Sequence, residues 1–536
     1  MASTSWKMFS PFPLKNLTLP NRIVLAPMGN HLQTAQGEVT DALIAYLEER
    51  ARGGTGLIIT PFAAVTPYHP TFGAYSDDLL PGLQQLTQRV KQHGAKIMLQ
   101  IAHFGAIYAH DPVAPSSFPS RLYWIDVTPR EIQPSEIQTV IEAFVSAAVR
   151  ASKAGFDGVE FHGGYAYLVG EFYSPHFNRR QDAYGGSFAN RMRFVDEVIQ
   201  GIQAELGDDF PIGFKLNAHE HVQGGIDQQE AIRIAKHLAA LGVAYIHVVS
   251  NFRLDDVCEY SGLPPMYDEI YGLVDLAGQI KQEVDVPIMA TGGVVMPDQA
   301  EQILQTGKAD LVAIGRGLIA EPDWVKRVQQ GHALRACLKC NVCHIKEVLN
   351  GEEVRCTVNP RAGVEHSTPF NRAKTPKRLA ILGGGPAGME AALVAAQRGH
   401  QVSLFEQFFE LGGKMALASL LPFKKSVKNF IEEFKRMILD HPSIQVSLDH
   451  PVAASDLSDL GADAVICAVG AKPVLPAIPG LAMSRNVLTA TDLLAEIRTQ
   501  PDLDDVSTYL VLGAGLVGSE LAWYLKRRGK TVTLVD

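Results

Sequence analysis

Gly158-Val159-Glu160-Phe161-His162-Gly163-Gly164-Tyr165-Ala166-Tyr167-Leu168 begins as a short, mostly apolar run and breaks into glycines. A β-branched and aromatic run bounded by glycine reads as a buried strand, here Gly158–Phe161. Working outward, the same pattern recurs at Ile23–Ala26, Gly56–Thr60, Ile97–Ile101, Ile212–Leu216, Tyr245–Val249, Pro287–Ala290 and Leu311–Ile314. Amphipathic stretches lie between these runs, among them Asp41–Arg52, Gly82–His93 and Ile137–Ala154. Eight strand-then-helix units in about 330 residues predict a closed parallel (β/α)8 TIM barrel, whose chemistry gathers at the strand C-terminal ends.

The chain has 536 residues, more than one core accommodates. Its 46% hydrophobic and 20% charged content is ordinary for globular proteins, and a net charge of −9 offers no electrostatic footprint for nucleic acid or an anionic membrane. The first residues, Met1-Ala2-Ser3-Thr4-Ser5-Trp6-Lys7, lack the basic-then-apolar pattern of a signal peptide. No apolar run approaches the ~20 residues that span a bilayer. Four of the six cysteines are clustered, which suits a reducing compartment better than a disulfide framework. The expectation is a soluble, cytoplasmic protein acting on small molecules, with a homo-oligomer compatible.

The strand ends carry the candidate chemistry. Ala26-Pro27-Met28-Gly29 follows the first strand, Gln100-Ile101-Ala102-His103 ends the third, and His162 to Leu168 follows the fourth. Thr291-Gly292-Gly293 and Ile314-Gly315-Arg316-Gly317 end the last two. Glycines there let backbone N–H groups approach a phosphate, the usual phosphate site of this fold. A Gly-Gly alone is only a turn. The convergence of these motifs on one end of the barrel is the informative feature.

With these motifs the sequence resembles the Old Yellow Enzyme-type flavin oxidoreductases, in the multidomain branch of 2,4-dienoyl-CoA reductase and trimethylamine dehydrogenase. Further stretches carrying the resemblance are Asn21-Arg22-Ile23-Val24-Leu25-Ala26-Pro27-Met28, Phe172-Tyr173-Ser174-Pro175-His176-Phe177-Asn178-Arg179-Arg180, Asp182-Ala183-Tyr184-Gly185-Gly186-Ser187 and Asn190-Arg191-Met192-Arg193-Phe194. The resemblance implies FMN in the barrel. Ala26, Pro27 and Met28 would edge the isoalloxazine. Gln100 would bond its pyrimidine edge. Gly292, Gly293, Gly315 and Arg316 would hold the phosphate. Lys215 stands where the family normally has an arginine beside the flavin, keeping the charge and losing the planar fork.

Ene-reduction needs hydride delivery to one alkene carbon, a proton for the other, and donors that polarise the substrate carbonyl. The family's donor pair, His-x-x-His or His-x-x-Asn, becomes His162 and Tyr165 here, with Tyr167 two positions on. Tyr167 is the candidate proton donor, because a phenol of pKa near 10 is protonated at neutral pH. Amine-dehydrogenating members attach FMN through a cysteine after strand 1. Gly29 stands at that place, so the FMN is expected to be non-covalent.

Cys337, Cys340, Cys343 and Cys356 are spaced C-x2-C-x2-C-x12-C. Four thiolates suit zinc or an iron–sulfur cluster, and flavins on both sides favour a one-electron carrier, which zinc is not. The expectation is a [4Fe–4S] cluster, with spacing nearer that of the amine dehydrogenases than that of dienoyl-CoA reductase. Cys258 and Cys467 read as small apolar residues.

Leu379-Ala380-Ile381-Leu382-Gly383-Gly384-Gly385-Pro386-Ala387-Gly388 leads into a helix over Met389–Arg398 and a strand Gln401–Phe405 ending in Glu406. This is a dinucleotide fingerprint in its required context, with glycines for the pyrophosphate and Glu406 for the ribose. Leu411-Gly412-Gly413-Lys414, with Gly413, resembles the second flavin-domain glycine motif. FAD is expected, with ADP as the alternative. A second fingerprint carries Gly513, Gly515 and Gly518 and ends in Asp536 at the same interval. Its acid favours NADH over NADPH. Because only one β-α-β unit of this module is present, the second Rossmann-like domain is expected to be truncated.

The sequence therefore divides into an FMN barrel over 1–335, an iron–sulfur segment and linker over 336–376, an FAD- or ADP-binding domain over 377–505 and the start of an NAD(P)H-binding domain over 506–536. The expected activity is reduction of the C=C bond of an α,β-unsaturated carbonyl or an enoyl or dienoyl thioester. Electrons would run from NAD(P)H through FAD and the cluster to FMN. The alternatives are an amine (C–N) dehydrogenase that passes electrons to an external flavoprotein, and a truncated form unable to use NADH.

Overall fold

The computed structural model describes residues 6–67, 71–107, 111–122, 125–250, 263–267, 272–346, 350–368, 370–484, 486–500, 503 and 506–536. The chain divides into two compact units, Met1–Pro369 and Phe370–Asp536. Cys258 lies outside the described residues.

In the first unit, β1 (Ile23–Leu25), β2 (Leu57–Ile59), β3 (Lys96–Ala102), β4 (Gly158–Gly163), β5 (Ile212–Asn217), β6 (Tyr245–Val249), β7 (Ile288–Ala290) and β8 (Leu311–Ile314) form a parallel sheet. Ile314 pairs with Leu25 and Phe161 with Ile101, so the sheet closes on itself. All eight expected strands are present, with ends shifted by no more than two residues. The amphipathic stretches form helices α1 (Asp41–Arg52), α2 (Leu80–Lys91) and α3 (Pro134–Lys153). Thr40 caps α1 by accepting the Leu43 N–H at 3.2 Å.

Strand alternation sorts the side chains. On β4 the outward Phe161 stacks on Phe144 of α3 at 5.7 Å, in the large cluster between strands and helices. Inward residues form a separate core of Val24, Leu57, Ile59, Met98, Met289, Leu311 and Ala313. The antiparallel hairpin of Phe12–Leu14 and Leu17–Leu19 adds Leu14 and Leu19 to that core. Inward positions also include Gln100, Glu160, His162, Lys215 and His247, each under 5% exposed. Barrel interiors usually hold Val, Ile and Leu, so five buried polar side chains set this layer apart as a candidate site.

The cysteine segment belongs to the first unit. Beyond Cys356, Glu365 meets Arg50 of α1 at 2.8 Å, with neither side chain exposed. Arg50 also donates to the carbonyls of Tyr46 and Leu318, at 2.6 and 3.1 Å. Removing one partner of a buried pair strands the other's charge. Glu365→Ala is therefore expected to destabilise the barrel unit by about 3–5 kcal/mol in chemical denaturation. A loss below about 1 kcal/mol, the range of exposed pairs, would contradict this.

In the second unit, Arg378–Leu382, Gln401–Phe405, Ile444–Ser447 and Ala464–Cys467 form a parallel sheet in the order Ile444–Ser447, Gln401–Phe405, Arg378–Leu382, Ala464–Cys467. The expected helix after the first fingerprint spans Pro386–Gln397. A further parallel pair, Thr508–Leu512 and Thr531–Val535, is joined through the helix Leu516–Arg527. Cys467 is exposed, not a packed apolar residue. Among the described residues no helix is long and apolar enough to cross a membrane.

Candidate active site

The β4 motif folds into a tight turn over the barrel mouth. Tyr165 and Ala166 both take left-handed backbone angles, φ +60° and +52°. Such conformations cost non-glycine residues about 1–3 kcal/mol each and persist where the surroundings impose them. The Leu168 N–H bonds the His103 carbonyl at 3.1 Å, tying this turn to the end of β3. Tyr167 then starts the short helix Leu168–Tyr173 and is 7% exposed.

This turn brings the three candidate catalytic residues together. The Tyr167 ring lies 4.0 Å from that of His162, and Tyr165 lies 5.7 Å from His162. Phe62 and Phe104 complete an aromatic box, 5.8 and 5.4 Å from Tyr167. His162 Nδ1 is buried with no hydrogen-bond partner. Burial, then the charge of Lys215, hold its imidazole well below the ordinary histidine range, against backbone hydrogen bonds at His162 and Gly164, so the ring is neutral.

Lys215 pairs with His162 across the β4–β5 register. Its Nζ stands 4.8 Å from the Tyr165 ring centroid. Burial lowers its pKa to about 8, against the pull of Glu160. Gln100 is fully buried and donates from Nε2 to Glu160 Oε1 at 2.6 Å, while its Oε1 bonds nothing.

At the adjoining strand ends, Ala26 bonds the Ile314 carbonyl through its N–H at 3.1 Å, with Pro27 buried and Met28 half-buried after it. A Cβ on Gly315 would lie 2.9 Å from Met28 Sδ, so the β1 and β8 ends are in close contact. Gly292 and Gly293 follow β7 with φ +119° and +68°. Arg316 follows β8 and is 8% exposed. Its Nη1 donates to the Pro264 carbonyl at 2.9 Å and to Asn341 Oδ1. One edge of the guanidinium is thus committed to protein, and Arg316 ties the expected phosphate corner to the cysteine loop.

That loop is irregular, with left-handed turns at Lys339 and Asn341, φ +55° and +60°. The Lys339 N–H donates to Cys337 Sγ at 3.3 Å, and Cys340 Sγ lies 3.2 Å from Thr357 Oγ1. Burial pushes Cys337 up to about 12 and Cys343 up to about 11, and Cys343 and Cys356 each add to the Cys337 shift. The four thiols are free, and neighbouring thiols of the cluster add to the upward shifts of Cys337, Cys343 and Cys356. Among the described residues, however, no group of three or more His, Cys, Asp or Glu side chains is arranged to hold a metal ion.

In the second unit, Gly383 has φ +102°, and a Cβ on Gly388 would sit 1.9 Å from its carbonyl oxygen. Gly385 faces open space, leaving the helix N-terminus free for a pyrophosphate, and Gly413 stands beside it. Glu406 is 5% exposed and accepts the Gly384 N–H at 2.7 Å and the Phe408 N–H at 3.0 Å. The second fingerprint repeats this geometry. Gly513 has φ +102°, a Gly518 Cβ would sit 1.9 Å from its carbonyl, and Gly515 is open. Asp536 accepts the Ala514 N–H at 3.0 Å. Gly388→Ala must push helix from loop, and is expected to cost about 1–3 kcal/mol and abolish adenine-dinucleotide retention on gel filtration. Full retention would contradict the assignment.

Residues 7–335 match the family described as NADH:flavin oxidoreductase / NADH oxidase. Residues 377–536 match pyridine nucleotide-disulphide oxidoreductase. The chain belongs to the NADH:flavin oxidoreductase / NADH oxidase family. It is a flavin oxidoreductase built on an α/β barrel with a second, dinucleotide-binding domain, and both domain families bind flavins and NADH. It is 39% identical over 549 residues to an NADH oxidase of Thermoanaerobacter brockii, covering 99% of this chain and 82% of that one. It is 33% identical over 565 residues to a cinnamate reductase of Clostridium sporogenes, with coverage of 99% and 82%. The solved structure of a 2-naphthoyl-CoA reductase complex superposes with TM-score 0.91 at 28% identity, covering 98% of this chain and 82% of that one.

Within this flavin oxidoreductase the structure adds residues that motif reading missed. Glu160 accepts from Tyr245 at 2.9 Å and His247 at 3.1 Å as well as from Gln100. Burial alone would raise its carboxyl, but His247, Lys215 and Tyr245 outweigh burial and hold it below the ordinary range. The available signal was an acid amid apolar strand residues, which cannot be buried without partners. Phe62 and Phe104 carried no signal, because an aromatic residue after a strand is ordinary packing.

Proposed function

We propose that this protein is an NAD(P)H-dependent ene-reductase acting on an α,β-unsaturated carbonyl or an enoyl or dienoyl thioester. The observation that carries the reading is the contact of His162 and Tyr167, 4.0 Å apart, with His162 Nδ1 unpaired, inside a box of Phe62 and Phe104. Such a box suits a flat, conjugated substrate. The related cinnamate reductase and 2-naphthoyl-CoA reductase are named for substrates of that kind.

Ala26, Pro27, Met28, Gln100, Lys215, Gly292, Gly293, Gly315 and Arg316 would hold a non-covalent FMN. Gly383, Gly385, Gly388, Glu406 and Gly413 would hold FAD, or ADP alone. Gly513, Gly515, Gly518 and Asp536 would take the nicotinamide nucleotide, with the Asp536 carboxylate repelling a 2′-phosphate and favouring NADH. Cys337, Cys340, Cys343 and Cys356 would hold a [4Fe–4S] cluster. Their donor chemistry suits iron, since all four are free thiols of one segment, with Cys337 Sγ accepting the Lys339 N–H and Cys340 Sγ adjoining the Thr357 hydroxyl. When bound, the barrel flavin supplies a hydride and the cluster supplies one-electron transfer between the two flavins.

The chain's own residues do the rest. The neutral His162 and the Tyr165 phenol donate hydrogen bonds to the substrate carbonyl oxygen and draw electron density from the alkene. Tyr167 Oη delivers the proton to the α-carbon. Lys215 places a positive charge in the barrel mouth. Phe62 and Phe104 exclude water, which strengthens each of these interactions. We place the protein in the cytoplasm, where free thiols persist, and retain 1–335, 336–376, 377–505 and 506–536 as its functional division.

The test mixes anaerobically reduced protein with enones, 2-enoates and dienoyl thioesters while following flavin absorbance. Reoxidation by at least one class is expected. If no alkene reoxidises it, and secondary or tertiary amines instead reduce the oxidised protein, C–N dehydrogenation replaces this reading. Iron and acid-labile sulfide near four per chain are expected after anaerobic purification, falling below half in Cys337→Ser. Zinc in place of iron would overturn the cluster assignment.

A further inference from the structure

Glu160 is fully buried, and the residues around it leave it one arrangement. Tyr245 Oη and His247 Nδ1 both donate to Oε2, at 2.9 and 3.1 Å, so the carboxylate cannot turn away. Gln100 faces the other oxygen, and β3–β4 register pairs the two residues directly. An ionised carboxylate only accepts hydrogen bonds, so the Gln100 atom against it must be the NH2 group. The opposite amide orientation would set oxygen against oxygen and forfeit a charge-assisted bond. Gln100 Oε1 is thereby turned away from Glu160, buried and without a partner. A buried acceptor left unmade costs about 1–3 kcal/mol, which a ligand donor would recover.

We propose that Glu160 is the positioning residue for flavin recognition: it fixes the Gln100 amide so that Oε1 is offered to the N3–H of the barrel flavin. The flavin pyrimidine edge has a single donor, N3–H, between two carbonyl acceptors. Only an amide held in this sense matches the donor. This inference rests on the reading above that Gln100 meets that edge.

The test compares FMN with N3-methyl-FMN, which lacks the donor, on the deflavinated full chain by flavin fluorescence. Wild type is expected to prefer FMN by about tenfold or more, the fold-change of one buried hydrogen bond. Glu160→Gln, whose amide oxygen is drawn to the Tyr245 and His247 donors so that its NH2 faces Gln100 and attracts Gln100 Oε1, is expected to reduce that preference at least about fivefold. Gln100→Met removes the acceptor while leaving Glu160 its two other donors, and is expected to do the same. A merely structural role for Glu160 would weaken both flavins equally and leave the ratio unchanged, which would overturn the proposal. An undiminished ratio in Gln100→Met would overturn it too, even if Glu160→Gln does not fold. Equal wild-type affinity for the two flavins refutes it while leaving FMN binding intact; binding of neither refutes the FMN reading and this inference together.

Discussion

Tyr167→Phe is expected to slow reoxidation of the reduced protein by an enone or enoate by about 10²-fold. Reduction by NADH should stay within about twofold in the same variant. The substitution removes one oxygen and keeps the ring that packs against Phe62, Phe104 and His162. Box geometry and water exclusion therefore survive, and the lost rate reports proton delivery. General acids contribute about 10²–10⁴-fold, and the expected loss lies at the lower end of that range. Stopped-flow measurement of the two half-reactions separates them. Equal slowing of both would remove Tyr167 from the chemistry and leave it as a packing residue.

Lys215→Met is expected to make the barrel flavin harder to reduce, lowering its reduction rate by about 10²-fold, the scale of losing one preorganised donor. Lys215 lies in the buried polar layer with Glu160 and His162, where water cannot substitute for its charge. Burial lowers its pKa to about 8. Below that value the ammonium is charged and supports reduction; above it the amine is neutral and the support is lost. The wild-type rate should therefore fall as pH rises through about 8. Lys215→Arg keeps its charge across that range, so its profile should be flat there. A wild-type rate independent of pH between about 7 and 9 would show that the Lys215 charge plays no part.

Most of the barrel was legible because each strand is a buried apolar run and each helix an amphipathic one, two periods that do not mimic each other. Tyr245–Val249 and Leu311–Ile314 match their expected limits, and Ile97–Ile101 extends by one residue at each end. The two fingerprints were legible for a different reason. At Gly388 and Gly518 a Cβ has no room, so the need for glycine is local and leaves a mark in the sequence. Candidate site residues could be named where they stand near the C-terminal ends of recognisable strands, as Gln100 and His162 do. The network below them was not. Tyr245 and His247 are separated from Glu160 by 85 and 87 residues, and only the pairing of β4 with β5 and of β5 with β6 makes them neighbours. The Arg316 contact with Asn341 is of the same kind. The sequence suggested a phosphate ligand, and packing shows the guanidinium also bracing the cysteine loop.

By itself, the sequence determined which segments are strands, that eight of them alternate with helices, and that two nucleotide fingerprints and one cysteine cluster follow. Local periodicity and local steric need carry that information. Only the tertiary structure decided which way the Gln100 amide faces, that Phe62 and Phe104 enclose Tyr167, and that Glu160 holds a buried charge at the barrel centre. Those facts depend on strand register and barrel closure, which set residues far apart in the chain within hydrogen-bonding reach. A buried carboxylate accepts whatever donors the fold brings to it, and no local pattern records which ones those will be.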